Sequence, residues 1–176
     1  MLQFDAEFES QGLLDAARQI CLAARTAPKG RGKDLLVTAI VSGAEKERVS
    51  AAMREIGARC QQPFFQRDAD NVDSAEVLIL IGSRKEPLGL PHCGYCGFVN
   101  CQAMLAAGGS CSFNVGDLGI ALGSAVSRAA DMRIDNRIMY SVGKAVLELG
   151  LFGPEVKLVY GIPLSASGKN PFFDRH

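Results

Sequence analysis

Between residues 12 and 24 the apolar side chains stand at Leu13, Ala17, Ile20, Cys21 and Ala24, a spacing that lines one face of a helix. Pro28 is expected to end that helix. The period then changes. Residues 35–41 (LLVTAIV) are almost continuously apolar and β-branched, which predicts a strand buried on both faces. Ser42 and Glu45 stand three apart, as in a capping box, and the helix they open would turn Val49, Ala52, Met53 and Ile56 inward and stop near Gly57. Residues 77–81 (VLILI) predict a second buried strand. A helix over 116–132 begins apolar almost all round (LGIALGSAV) and is expected to be buried. Gly119 and Gly123 on it leave room for another backbone, a cofactor or a partner subunit. Asp135, Asn136 and Arg137 break the pattern and read as an interhelix turn that caps the next helix, in preference to a polar cluster near a metal or an interface. Further on come a helix over 138–149 with Gly150 as its C′ residue, a strand over 156–162 and a polar tail, GIPLSASGKNPFFDRH. This order predicts an α/β (α+β) sandwich of helices around a mixed central sheet. No G-x-G-x-x-G follows a strand, so a doubly wound dinucleotide fold is not expected.

Composition narrows the picture. With 176 residues, 48% hydrophobic and 22% charged, the chain is expected to form one domain, 1–176, around a substantial core. Nineteen basic residues balance nineteen acidic ones, so no global field draws the chain to nucleic acid or to an anionic membrane. No apolar run approaches the roughly 20 residues that span a bilayer, and MLQFDAEFESQ has neither the basic nor the apolar region of a signal peptide. A reducing cytoplasm is the expected compartment, where clustered thiols serve as ligands in preference to disulfides.

Four of the six cysteines, Cys93, Cys96, Cys101 and Cys111, fall in PHCGYCGFVNCQAMLAAGGSC, within a cysteine-rich segment, 89–112, expected to be irregular apart from a short helix over 98–107. Four thiolates complete the shell of a tetrahedral zinc or of a four-cysteine iron–sulfur cluster. Cys93 and Cys96 share a turn with Gly94 and Gly97 and can face one centre, while glycine backbone N–H groups can turn toward sulfur. Cys101 falls near the start of the short helix, whose dipole favours thiolate, and Cys111 closes the site from the other side. The order is that of neither the bacterial nor the plant-type ferredoxin run. It also lacks the second C-x2-C pair common in zinc sites. Three occupants stay open: a cluster (4Fe–4S preferred, 2Fe–2S possible), structural zinc, or thiols without a metal. His92 beside Cys93 is a candidate substitute ligand, although a supporting or exposed role is preferred. Cys21 reads as core packing, and Cys60 carries no assigned role. With His92 and His176 the two histidines, histidine-based acid–base or hydrolytic catalysis is not expected.

The runs PHCGYCGFVNC, DLGIALGSAVSRAADMRIDNRIMYSVGKAVLELGL and YGIPLSASGKNPFFDR, with AARTAPKGRGKD earlier, resemble a family of bacterial and archaeal proteins described as containing a ferredoxin domain. That resemblance implies an iron–sulfur centre on Cys93, Cys96, Cys101 and Cys111 and carries no settled activity. AARTAPKGRGKDLLVTAIV is also distantly similar to the flavin-dependent nitroreductase superfamily, where a helix ends in Ala-Pro-Ser and leads into a strand. This likeness implies a nitroreductase-like sandwich with the metal segment inserted, and a homodimer with flavin sites between subunits. It further implies an FMN phosphate met by Arg25, Lys29 and Lys169. Arg25, Lys29, Arg31 and Lys33 form a basic run before Asp34, which reads either as a phosphate seat or as a solvated loop. The sequence departs from that superfamily in having Lys29 in place of Ser, Gly32 of Asn and Asp34 of Gln, and in lacking an N-terminal arginine arm. Ser165, Ser167, Gly168, Lys169 and Asn170 form a candidate anion loop or a plain C-terminal one. Phe172 and Phe173 predict that the tail docks on the body or on a second subunit.

Three functions fit this reading. The first is electron transfer or a redox role, served by a redox protein or a small-molecule electron donor and acceptor. The second is a reductase whose cluster feeds FMN, and the third a zinc module for partner binding.

Overall fold

A computed structural model describes Leu2 and residues 4–173. Its elements run α1 (Asp5–Thr26), β1 (Leu36–Ser42), α2 (Gly43–Cys60), α3 (Pro63–Ser74), β2 (Val77–Arg84), α4 (Cys101–Ala106), α5 (Ser112–Asp131), β3 (Asp135–Asn136), α6 (Tyr140–Glu148) and β4 (Val156–Ser165). The sheet has the order β1-β2-β4-β3. Every pairing is antiparallel, so the expected mixed sheet resolves into a wholly antiparallel one. Antiparallel neighbours need no crossover helix between them, and the helices instead cover both faces.

β2 organises this sandwich. Its residues alternate between two cores, as strand geometry requires. Val77, Ile79 and Ile81 face α1 and α5, beside Ile20, Leu118 and Ala125. Leu78 and Leu80 face α2, α3 and α6, beside Val49, Met53, Phe65 and Val142. A strand inside two apolar layers reads as an unbroken apolar run, which is why VLILI was legible as such. α6 lies unusually close to β4: a Cβ at Gly143 would stand 1.7 Å from the Val159 carbonyl oxygen.

Several expectations are corrected. β1 is half-buried along most of its length, because it forms one edge of the sheet; edge and central strands read alike when helices cover both faces. Ser42 makes no side-chain cap to α2, and Glu45 pairs with Arg48 at 2.8 Å instead. α3 has no counterpart in the sequence expectations, although Pro63 at its first turn and the buried Phe65, Ala69 and Val72 carry a helical signature. Asp135 and Asn136 pair with Ser165 and Leu164 of β4, so they extend the sheet where an interhelix turn was expected. The tail docks on the body of the same chain. Phe172 is buried, Asn71 Nδ2 donates to the Pro171 carbonyl at 3.1 Å, and the Arg137 guanidinium lies 5.3 Å from the Phe173 ring centre. The part of the tail expectation that concerns residues 174–176 lies outside the described residues.

Candidate metal centre

The cysteine segment leaves the sheet at the end of β2 and returns at the start of α5. No strand pairing supports the stretch between them, so other contacts must hold it. Buried Asn114, in the first turn of α5, donates from Nδ2 to the Arg84 carbonyl at 3.2 Å and the Glu86 carbonyl at 2.7 Å. Its Oδ1 is buried with no hydrogen-bond partner among the described residues. Lys33 pairs with Glu86 at 2.5 Å and reaches the Pro87 carbonyl. The Gly30 N–H donates to the Asp117 carboxylate at 3.0 Å. At the far end, Lys157 of β4 donates to the carbonyls of Gly108 and of Gly109, the latter at 2.8 Å.

Inside this frame Leu88, Met104 and Cys111 form a small core, with Leu90, Cys96, Phe98 and Phe113 packed around it. Cys93, Cys96, Cys101 and Cys111 all line one cavity of about 120 Å³, together with Phe98 and Met104. The Cys93–Cys96 turn runs through Gly94 and Gly97 with φ of +64° and +82°, values open to glycine at little cost. Asn100 accepts from the Ala103 N–H at 2.9 Å and starts α4, placing Cys101 as its first residue. Cys111 is buried, the other three are half-buried, and none is in a disulfide. His92 is exposed at the same cavity. Tyr95, 78% exposed, stacks on Phe113 with ring centres 5.7 Å apart.

The fit to an inorganic centre can be judged from these donors. Among the described residues no three His, Cys, Asp or Glu side chains converge closely enough to hold a single ion. Tetrahedral zinc, at about 2.3 Å from each sulfur, requires sulfurs about 3.8 Å apart. A cluster interposes irons and sulfides and accepts a wider ring of thiols. Four unbridged thiols around one apolar cavity are a donor set that a four-cysteine cluster would accept.

The residues expected to seat a flavin phosphate fare differently. Arg25 pairs with Asp34 at 2.5 Å and donates to the Leu36 carbonyl at 2.8 Å. Lys29 Nζ donates to the carbonyls of Arg25 and Ala27. Arg25 and Lys29 are thus together and already partnered within the chain. Lys169 follows Ser165, which pairs at the Val77 end of the sheet, whereas Leu36 pairs with Ser83 at the other end. A strand the length of β1 spans roughly 20 Å, so one chain does not bring Lys169 to the other two. The candidate anion loop is also closed on itself: Ser167 donates to the Lys169 carbonyl and Asn170 to Asp135. Asp135 and Asn136 lie at that same far end, away from the cysteines. Cys21 is buried enough that its thiol is pushed up to about 11, in keeping with a packing role. Cys60, the last residue of α2, is exposed. Sequence reasoning missed Asn114 and Lys157, since neither falls in the cysteine run nor in a motif.

Comparison with known proteins bears on both regions. Residues 107–175 match the model of a family described as "uncharacterized protein containing a ferredoxin domain", a stretch that includes Cys111. A protein of Archaeoglobus fulgidus is 39% identical over 183 residues, covering 99% of this chain and 98% of its own length. The fold is that of the nitroreductases. A nitroreductase with bound FMN from Desulfitobacterium hafniense DCB-2 superposes with a TM-score of 0.60 at 15% identity, over 92% of this chain and 82% of its own. A nitroreductase family protein from Clostridium novyi NT gives 0.59 at 16% identity, over 86% and 73%.

Proposed function

The chain belongs to the family of proteins containing a ferredoxin domain, and from that premise we propose that it is an iron–sulfur protein with an electron-transfer role. Cys93, Cys96, Cys101 and Cys111 are the ligands in this reading, with a 4Fe–4S cluster preferred over 2Fe–2S. The observation that carries it is the gathering of all four unbridged thiols around one apolar cavity. When bound, the centre would supply one-electron chemistry, taking an electron from a reduced donor and giving it to an oxidised acceptor. The chain's own part is to supply thiolates, to exclude water through Leu88, Phe98 and Met104, and to hold the segment to the sheet. A reducing compartment such as the cytoplasm suits such thiols; no described helix is long and apolar enough to cross a membrane. A redox protein or a small-molecule donor and acceptor would complete the exchange. The test is iron, sulfide and zinc analysis of protein purified without oxygen, with an absorption spectrum before and after reduction. Iron and sulfide with a bleachable visible band are expected. One zinc per chain with no visible absorption would replace this reading with a structural zinc module for partner binding.

A second reading, a reductase whose cluster feeds FMN, is favoured by the likeness of fold to FMN-binding nitroreductases. It would require the phosphate to displace Asp34 from Arg25, or to bind elsewhere. Fluorescence of the supernatant after denaturation tests it, and absence of flavin counts against it. A homodimer is part of both readings. The outer face of α5 favours it, since Val115 and Ile120 are exposed there and Gly116, Gly119 and Gly123 have open space beside them. Sedimentation of the purified protein decides this.

A further inference from the structure

We infer that Lys157 is a positioning residue of the cysteine centre that also fixes a positive charge on the loop before Cys111, an inference that rests on the iron–sulfur reading above. Lys157 belongs to β4, part of the rigid body, yet its ammonium leaves the sheet to bind the carbonyls of Gly108 and Gly109. These carbonyls close the turn after α4, just ahead of Cys111. Gly109 is in turn wedged against the cavity wall: a Cβ there would stand 2.9 Å from Met104 Cγ and 3.2 Å from Phe98 Cε2. Pulling on the Gly109 carbonyl therefore sets how the Cys111 side of the cavity meets Phe98 and Met104.

The charge matters as much as the bond. Lys33 also touches the segment, but Glu86 neutralises it at 2.5 Å. Lys157 forms no ion pair among the described residues, so its positive charge is left to act on what the segment holds. A centre ligated by thiolates carries negative charge, and reduction adds more. A nearby cation stabilises the reduced form more than the oxidised form. Lys157 accordingly raises the tendency of the centre to accept an electron while fixing the loop that presents Cys111.

The experiment compares the full-length protein with Lys157→Met and Lys157→Arg, purified without oxygen. The midpoint potential is expected to become more negative in Lys157→Met and to stay near the parent value in Lys157→Arg. An unchanged potential in a Lys157→Met protein that keeps its cluster overturns the inference. If Lys157→Met assembles no cluster, alkylation of Cys111 by iodoacetamide in metal-free proteins decides, read by mass spectrometry. Labelling roughly tenfold or more faster than in the parent, restored by Lys157→Arg, supports the clamp; equal labelling in all three overturns it. Absence of iron and sulfide from the parent protein would sink the iron–sulfur reading itself, and the labelling comparison would still decide the clamp.

Discussion

The sandwich and the cysteine segment are held by different forces. In the sandwich, β2 lies buried between two apolar layers, and each layer is a continuous set of Val, Ile, Leu and Ala contacts. In the segment, Leu88, Met104 and Cys111 are the buried core members, while Tyr95 and Val99 are 78% and 89% exposed. So small a core cannot order a long irregular loop against its conformational entropy. Asn114, Lys33 and Lys157 fasten the segment from outside, and a bound centre would fasten it from within. The two regions thus differ in what orders them: one is held by burial, the other by a few polar bonds to its backbone.

Substitutions should separate the two regions sharply. The largest effect is expected at Gly143→Ala, which drives a Cβ into the Val159 carbonyl and should cost about 3 kcal/mol or more in urea unfolding. Any cluster should persist in whatever fraction still folds. Cys111→Ser should do the reverse, abolishing iron and sulfide while moving the urea midpoint of the body little. A large loss of global stability in that variant would show the segment to be part of the body's cooperative unit.

Asn114→Ala sits between these cases. Losing both donors to the Arg84 and Glu86 carbonyls should cost about 1–3 kcal/mol, seen as faster hydrogen exchange at residues 84–88 with slower exchange retained in β4. Uniform change across the protein would refute that localisation.

The smallest effect concerns the body's surface. Asp73 has its carboxyl pKa below the ordinary value: desolvation pushes it up, but the Ser50 hydroxyl and the Arg54 guanidinium outweigh this. A depressed carboxyl contributes stability above its unfolded pKa, of about 3.9, and loses it as pH falls through the lower folded value. Asp73 is partly exposed beside Arg54, so screening keeps the contribution below about 1 kcal/mol. Asp73→Asn should flatten the acid limb of a stability–pH curve slightly below pH 4. No change there would show that the pair contributes nothing measurable.

Legibility followed the same division. VLILI and the face of α1 could be read because burial imposes a period on sequence. The gathering of the four cysteines at one cavity could be read because they are so closely spaced in the chain. α3 escaped since its apolar positions are sparse among PFFQRDADNVDS, and β1 looked central because both its faces are covered. The clamps were invisible for a different reason. Asn114 and Lys157 act on backbone carbonyls, and any residue can supply a carbonyl, so nothing in the receiving stretch advertises the bond. Arg25 shows a further limit: a basic run suggests an anion from outside, and only the structure shows that Asp34, nine residues on, pairs with it.

That pairing has a consequence for solubility. Leu36 starts the outermost strand, and both its outward backbone groups are taken, the carbonyl by Arg25 and the N–H by Asp34. Thr38 and Ile40 point the same way, in a stretch with no charge or proline to repel a stray β-chain. The ion pair therefore works as a stopper at one end of an otherwise sticky hem, and losing it would lengthen the surface on which misassembly can begin.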